Sequence, residues 1–293
     1  MKCIKRDLAL LGNNTQMCLG QKCGIEHAIH ALRKAYESPE VEGILLIDAQ
    51  NAFNSLNREL ALINIDKLCP SLSQAIGNSY STPSDLYINR STVKSQEGTT
   101  QGDPLAMAMY GIAILPLIKR VMSDNVTQKW YADDGNAAGS IPLLSKLYHD
   151  LKEIGPHFGY KVIKCHLITK PDFEQRARDL FANEDVEVIN GHRVLGSVIG
   201  TEECCQEFFD EKSNTYSKLL KKLSKHAKVA PQNIYKAFTN GVQQKLTFIT
   251  RTTPKSEDLI DKTEEYQRRS HTIIGQPPNI QREISKNILA SRS

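Results

Sequence analysis

Apolar residues recur at helical spacing in several stretches of the chain. In residues 24–37, Ile25, Ile29 and Leu32 fall on one side with basic residues between them, which predicts an amphipathic helix with a basic face. The run 105–121 is almost wholly apolar, which predicts a buried helix. The predicted helices cover about 24–37, 54–67, 105–121, 140–158, 203–228 and 231–249.

Two predicted strands end in carboxylates. Gly43 to Asp48 is an apolar run closed by one acid, which predicts a buried strand with its charge at the C-terminal end. A second apolar run ends in Asp133 and Asp134, and Gly135 after them predicts a positive-φ turn in a hairpin with both acids at its tip. Further strands are predicted at about 86–88, 92–94, 159–169 and in a hairpin over 187–199 with Asn190 and Gly191 at its middle.

A polar loop comes just before the apolar helix. Gly102 lets a backbone come close to a ligand, and Asp103 with Pro104 suits the N-cap and first position of the helix. Gln101, between the glycine-bearing loop and the helix start, is placed to offer an amide and backbone donors to a phosphate or a base. The loop therefore predicts a ligand-facing segment.

Composition and charge narrow the class of protein. The 293 residues, 40% of them hydrophobic, are enough for one large or two modest domains. The 37 Lys and Arg against 33 Asp and Glu leave a net charge of +4, which is unevenly spread. Six lysines without an intervening acid lie in one predicted helix, which indicates either a solvated face or a contact with a phosphate backbone. These are Lys212, Lys218, Lys221, Lys222, Lys225 and Lys228.

Cysteine usage and hydropathy predict an intracellular protein, in the cytoplasm or the nucleus. The seven cysteines are odd in number and form no Cys-x-x-Cys pair, which argues against a disulfide framework and against a zinc knuckle. The N-terminus lacks the apolar run of a signal peptide. The most apolar segment, 105–118, is too short to span a bilayer, so we expect no membrane insertion.

The two strand ends together predict a metal centre. Asp48, Asp133 and Asp134, delivered on neighbouring strands, can hold two divalent ions about 4 Å apart, the arrangement used in phosphoryl transfer. Two adjacent anions repel one another, so a cation between them is favourable, and hard oxygen ligands suit magnesium. The alternative is an ordinary Asp-Asp-Gly surface turn.

The chain resembles the reverse transcriptases in motifs that occur in the family's order. Motifs A, B and C correspond to 47–53, 98–105 and 131–134, and motifs D and E to 159–164 and 194–196. The second motif is similar to that of retrotransposon enzymes. The resemblance, which spans about 20–200, implies an α+β right-hand polymerase fold with an antiparallel palm sheet flanked by helices. It divides the chain into a remnant of the fingers at 1–40, a palm at 41–200, and a helical thumb-like region with a tail at 201–293.

The resemblance also implies catalytic and metal-binding roles. Asp48, Asp133 and Asp134 would be catalytic and, with the backbone carbonyl of Ala49, would hold two Mg²⁺ ions, for which Mn²⁺ can substitute. Phe53 would lie beneath the sugar and reject a 2′-hydroxyl, which implies dNTP substrates.

The remaining implied roles concern substrate binding. Gln101 and Gly102 would line the pocket for the nucleotide and the template base, and Lys164 would lie near the triphosphate. Leu195 and Gly196 would begin the contact with the primer. The lysines that would continue that contact are Lys218, Lys221, Lys222 and Lys225. The implied partners are an RNA template and a DNA primer, and the sequence names no protein partner.

The sequence also departs from the family. Only 47 residues precede Asp48, where family members have a substantial basic fingers region, and the fourth motif is shortened between Tyr160 and Lys164. Two functions therefore stay open: an RNA-directed DNA polymerase of a retroelement, or a catalytically impaired fragment that only binds nucleic acid. A third, another two-metal enzyme such as a nucleotide cyclase, is disfavoured by the loop containing Gln101 and Gly102.

Overall fold

The computed structural model describes residues 4–254 apart from Gln101 and Lys228. The predicted role of Gln101 and the predicted tail beyond 254 therefore lie outside the described residues. The chain divides into two compact units between Cys204 and Cys205. The predicted boundaries at 40 and 200 stay predictions.

The first unit combines helices with three sheets. Its helices are α1 Lys5–Gly12, α2 Gly24–Glu37, α3 Ala52–Ser55, α4 Arg58–Leu68, α5 Pro70–Tyr80, α6 Ala106–Ala113, α7 Leu115–Arg120, α8 Ile141–Ile154 and α9 Glu174–Leu180. Its strands are β1 Gly43–Ala49, β2 Ser84–Ile88, β3 Ser91–Ser95, β4 Thr127–Tyr131, β5 Asp134–Gly139, β6 Val162–Thr169, β7 Val186–Ile189, β8 Gly191–Val194 and β9 Ser197–Gly200.

The main sheet is mixed, with strand order β4-β5-β1-β6-β7. The pairs β4–β5, β5–β1 and β1–β6 are antiparallel, whereas β7 runs parallel to β6. The prediction of an antiparallel sheet is therefore wrong for its last strand. Helix α9 connects β6 to β7, and a parallel neighbour needs such a crossover connection.

Both faces of the main sheet are covered, which explains the continuous apolar run in β1. Leu45 and Ile47 face a large core that includes residues of α4 to α9. Ile44 and Leu46 face a smaller core closed by Leu32 of α2 and by the hairpin β8–β9. Asp48 is the one exposed residue in the strand's burial pattern. The sheet therefore delivers a single carboxylate at the end of a buried strand.

The hairpin predicted around Asn190 and Gly191 forms elsewhere. β7 and β8 belong to different sheets, and β8 pairs with β9 instead. The turn of this hairpin is Leu195 and Gly196, which have φ of 49° and 87°. Positive φ at both central residues suits a two-residue hairpin, so the tight turn lies five residues after the predicted one.

Two predicted helices are each interrupted. The apolar stretch from residue 105 forms α6 and α7, because Pro116 lacks the amide hydrogen that a continuous helix requires. The stretch from residue 54 forms α3 and α4. Asn57 begins α4 as its N-cap, with its side chain accepting from the Leu60 amide at 3.0 Å.

The described part of the second unit is helical, as the pattern predicted. It contains most of α10 Glu202–Ala227, followed by α11 Pro231–Ala237, the π-helical segment Phe238–Val242 and α12 Gln243–Thr252. Phe209, Tyr216 and Leu220 form the buried side of α10.

Across the described residues, we find no helix with both the length and the apolar character to cross a bilayer.

Candidate active site

The three aspartates lie at neighbouring strand ends. The antiparallel pairing of β1 with β5 ends at Ile47 and Gly135. Asp48 comes directly after Ile47 and Asp134 directly before Gly135, so the two aspartates lie at adjacent positions. Asp133 lies in the two-residue turn between β4 and β5, where Tyr131 pairs with Asp134. The fold therefore brings together residues separated by 133 − 48 = 85 positions.

The turn is formed by Ala132 rather than by Gly135, which corrects the sequence-based prediction. Ala132 has φ of 54°, in the left-handed region, while Gly135 lies within β5. A Cβ at Gly135 would come within 2.9 Å of the Trp130 ring. The glycine is thus required for packing against tryptophan and not for turning the chain.

The pKa values of Asp133 and Asp134 are raised by burial and by neighbouring aspartate charges. Partial burial, together with the charges of Asp133 and Asp48, raises the pKa of Asp134 to about 6. Burial also raises the pKa of Asp133, with the charge of Asp48 adding to the effect. The ionised forms of Asp133 and Asp134 are therefore less favourable than those of free carboxyls, as expected of a site that gains from a cation.

The N-terminal segment supports the turn, which the sequence did not indicate. Gln16 has no exposed surface and bonds both the N–H and the C=O of Ala132. Residues around Gln16 also pair with β4: the Trp130 amide donates to Thr15 O and the Met17 amide donates to Trp130 O, both at 2.7 Å.

Aromatic rings lie below the aspartates. The Phe53 ring stacks on Tyr110, with ring centroids 4.5 Å apart and an interplanar angle of 20°. Tyr160 is 1% exposed, and its hydroxyl donates to Asp133 O at 2.9 Å. Burial, together with the charge of Asp133, raises the pKa of Tyr110. Both phenols therefore stay neutral beside the carboxylates.

The polar loop before α6 is tied to the segment after β1. The Thr99 amide donates to Phe53 O at 2.7 Å, and the Gly98 amide donates to Leu56 O at 2.9 Å. Gly98 has φ of 70°, and any Cβ there would overlap the backbone of Asn54. Only glycine permits this approach, so the loop and Phe53 are held as one assembly.

Arg58 also holds this loop in place through hydrogen bonds. It was not identified from the sequence. It is 6% exposed, and its guanidinium donates to the carbonyls of Ser95, Glu97 and Gly98 at 2.6, 2.6 and 3.0 Å. Its guanidinium lies over the Tyr80 ring, 5.4 Å from the centroid. A lone arginine after a loop carries no sequence signal of this role.

Gly102 lies in open space within this loop. It has φ of 90°, and a Cβ there would meet no atom within 4 Å. Tyr80 orders both sides of it, since its hydroxyl donates to the Asp103 carboxylate and accepts from the Thr100 amide at 3.1 Å. Asp103 also accepts from the Leu105 amide at 2.8 Å, close to its predicted capping role.

Lys164 is paired with an acid on the neighbouring strand. It lies on β6, and its amine is 2.9 Å from the Glu187 carboxylate of β7. The hydrogen bond to Glu187 raises the pKa of Lys164. Its predicted contact with a triphosphate stays a prediction, and would require this pair to open.

The predicted primer contacts fall at one hairpin turn and one helix face. Leu195 and Gly196 form the turn of β8–β9, with Leu195 packed partly against the smaller core. Four lysines are exposed on α10 at positions i, i+3, i+4 and i+7, opposite Tyr216 and Leu220: Lys218, Lys221, Lys222 and Lys225. Lys212 differs from them because it is half-buried and pairs with Glu211 at 3.5 Å.

The donor set suits a hard divalent cation, although it is not preassembled. Carboxylate oxygens at adjacent strand ends are ligands that Mg²⁺ prefers. Within residues 4–254, leaving out 101 and 228, no three His, Cys, Asp or Glu side chains already form a group that could hold a metal ion.

Comparisons with known proteins give a structural likeness. No family model matches the chain, and no curated protein matches it. It is similar to the structure of telomerase from Candida albicans in complex with a TWJ fragment of telomeric RNA, with a TM-score of 0.52 and 9% sequence identity. The match covers 93% of this chain and 50% of the telomerase chain, so this chain spans about half the length of that one. The likeness shows the fold alone: the chain shares its fold with the matched part of the telomerase chain.

Proposed function

We propose that the chain is an RNA-directed DNA polymerase domain of a retroelement, which transfers nucleotides from dNTPs to a DNA primer on an RNA template. The observation that carries this proposal is the meeting of Asp48, Asp133 and Asp134 at adjacent strand ends in a polymerase-like fold. The raised pKa values of Asp133 and Asp134 support it, because clustered carboxylates gain most from a divalent cation.

In this proposal the aspartates hold two Mg²⁺ ions, with Ala49 contributing its carbonyl. When bound, the ions activate the attacking oxygen and stabilise the leaving oxygen of phosphoryl transfer. The protein holds the three carboxylates in place and rejects nucleotides that carry a 2′-hydroxyl. Tyr160, which donates to Asp133 O, and Gln16, which bonds Ala132, restrain the backbone from which two of those carboxylates project.

Substrate selection is assigned to the assembly of Phe53 and the polar loop. Phe53 is half-buried and is backed by Tyr110, so its ring has a firm support from which to reject a 2′-hydroxyl. Gly102 leaves open space in which a nucleotide and a template base can approach the backbone. Deoxynucleotides are therefore the proposed substrates.

A primer-extension assay with an RNA template, a DNA primer and Mg²⁺ tests the proposal. The wild-type chain should extend the primer, and Asp133→Asn should reduce the product to background because one metal ligand loses its charge. Asp85→Asn is the matched control, since Asp85 is a surface acid that pairs with Lys94 at 2.6 Å on the hairpin β2–β3. Its activity should match the wild type. Absence of extension by the wild-type chain with either Mg²⁺ or Mn²⁺ would reject polymerase activity for this chain.

A second candidate is a protein that binds nucleic acid without catalysis. It is favoured by the four exposed lysines on one face of α10. In that case Asp133→Asn should leave binding of a primer–template duplex unchanged, while removal of the lysine charges should weaken it.

A further inference from the structure

One buried side chain holds the residue that precedes the aspartate pair. The Gln16 amide nitrogen donates to Ala132 O at 3.0 Å, and its amide oxygen accepts from the Ala132 N–H at 2.9 Å. Gln16 is 0% exposed, so neither bond competes with solvent. Both backbone polar groups of Ala132 are therefore satisfied by a residue 116 positions away in the chain.

Ala132 needs such support. Its φ of 54° places it in the left-handed region, which is unfavourable for a residue with a Cβ and persists only where the surroundings impose it. The next residues, Asp133 and Asp134, carry charges that repel each other and that of Asp48. A turn without external bonds would relax in the direction that separates these carboxylates.

The segment that carries Gln16 is itself fixed. It pairs with β4 through Thr15 and Met17, on either side of Gln16. The Cys18 thiol lies against the backbone of Ala132, and burial raises its pKa to about 12, which keeps it neutral there. Gln16 is therefore held in place from both sides along its own chain.

We propose that Gln16 is a positioning residue, which locks Ala132 in its left-handed conformation and so keeps Asp133 and Asp134 beside Asp48. The effect of Gln16 on metal binding rests on the proposed function, whereas its effect on the conformation of Ala132 does not. The side-chain hydrogen bonds of Gln16 go to the backbone of Ala132 and not to a carboxylate group, so it acts through that backbone.

The chain offers a matched control in Gln128. This residue is 6% exposed, lies on β4 of the same hairpin and also makes two bonds. Its amide donates to Val121 O at 3.0 Å and accepts from the Trp130 indole N–H at 3.0 Å. It is therefore buried and makes two hydrogen bonds, like Gln16, but these bonds go to Val121 and Trp130 and not to Ala132.

The experiment compares Gln16→Met and Gln128→Met in the full chain by amide hydrogen exchange and by Mn²⁺ affinity. Both variants lose two buried hydrogen bonds, so both should lose folding stability. In Gln16→Met alone, protection of the amides at 131–135 should fall by about tenfold or more, beyond what its loss of global stability accounts for. Its Mn²⁺ affinity should fall by about 10- to 100-fold, and that of Gln128→Met should stay within about twofold.

The outcomes separate this inference from the proposed function. Equal exchange at 131–135 in the two variants, or unchanged Mn²⁺ affinity in Gln16→Met, would overturn the positioning role. If the wild-type chain binds no Mn²⁺, the metal step of the proposed function fails and the exchange comparison alone decides the role of Gln16. If Gln16→Met does not fold, Gln16→Glu replaces it. That variant places a carboxyl group at a fully buried site beside Asp133, which favours its neutral form, and it changes the geometry of both bonds to Ala132, so it should show a smaller local loss of protection in the same amides.

Discussion

At the scale of single residues, Asp134 has an unusual electrostatic environment. Its pKa is raised to about 6 by partial burial and by the charges of Asp133 and Asp48. A carboxyl whose pKa is higher in the folded protein than the ordinary 3.8 binds its proton more tightly when folded. The charged form of Asp134 therefore destabilises the fold above about pH 6, and the penalty disappears as the pH falls toward 4.

Replacement of Asp134 by asparagine should reveal this penalty. Asp134→Asn is neutral at every pH, so it should be more stable than the wild type at pH 7.5. Because a large fraction of the residue is still exposed and solvent screens its charge, the gain should be at most about 1 kcal/mol. Urea unfolding at pH 4 to 8 measures the difference, which should shrink as the pH falls below 6. The same series with Asp85→Asn should show no gain, and a less stable Asp134→Asn protein at pH 7.5 would contradict the electrostatic account.

At the scale of elements, the sequence only partly indicated one part of the site, which consists of the polar loop before α6 and the helices α4 and α6. Gly102, Asp103 and Pro104 predicted a ligand-facing loop before a helix, and the loop does precede α6. Its attachment was not predictable, since Arg58 reaches carbonyls 37 to 40 residues away. Such contacts leave no periodic pattern in the sequence.

Loss of the Arg58 guanidinium should destabilise the first unit. Arg58→Met keeps a long apolar side chain but leaves one buried and two partly buried carbonyls without their donor, which should cost about 2–4 kcal/mol. Chemical denaturation measures this loss. Arg178→Met is the control, because Arg178 forms an exposed i,i+4 pair with Glu174 and should lose at most about 0.5 kcal/mol. Similar losses in the two variants would show that Arg58 does not anchor the loop.

At the scale of the whole molecule, the mild net charge conceals a local concentration. The lysines of α10 gather on one exposed face in the second unit, while Lys164 and Lys152 of the first unit are paired with acids. These four lysines of α10 have no ion pair with any acid among the described residues. Such a row of cations releases counterions when it meets a phosphate backbone, so its effect on binding depends strongly on salt.

Removal of two of these charges should weaken nucleic-acid binding. Lys221→Gln with Lys222→Gln should lower the affinity for an RNA–DNA duplex and reduce the slope of log affinity against log salt concentration by about 2. Fluorescence anisotropy at salt concentrations from about 50 to about 300 mM gives both the affinity and the slope. Lys94→Gln with Lys152→Gln is the control, since both lysines are already paired with acids. A slope that changes equally in the two double variants would exclude a specific role for the helix.

The sequence by itself determined the elements whose signal is local. The apolar run before Asp48, the strand before Asp133 and Asp134, and the helical spacing of α2 and α10 each depend on neighbouring residues, and all formed close to where they were predicted. Tertiary structure alone decided the left-handed turn at Ala132, the parallel strand β7 and the supports supplied by Gln16 and Arg58. These features depend on partners far away in the chain. Because backbone amides and carbonyls are chemically alike at nearly every residue, the sequence does not show which of them will bond to a distant side chain.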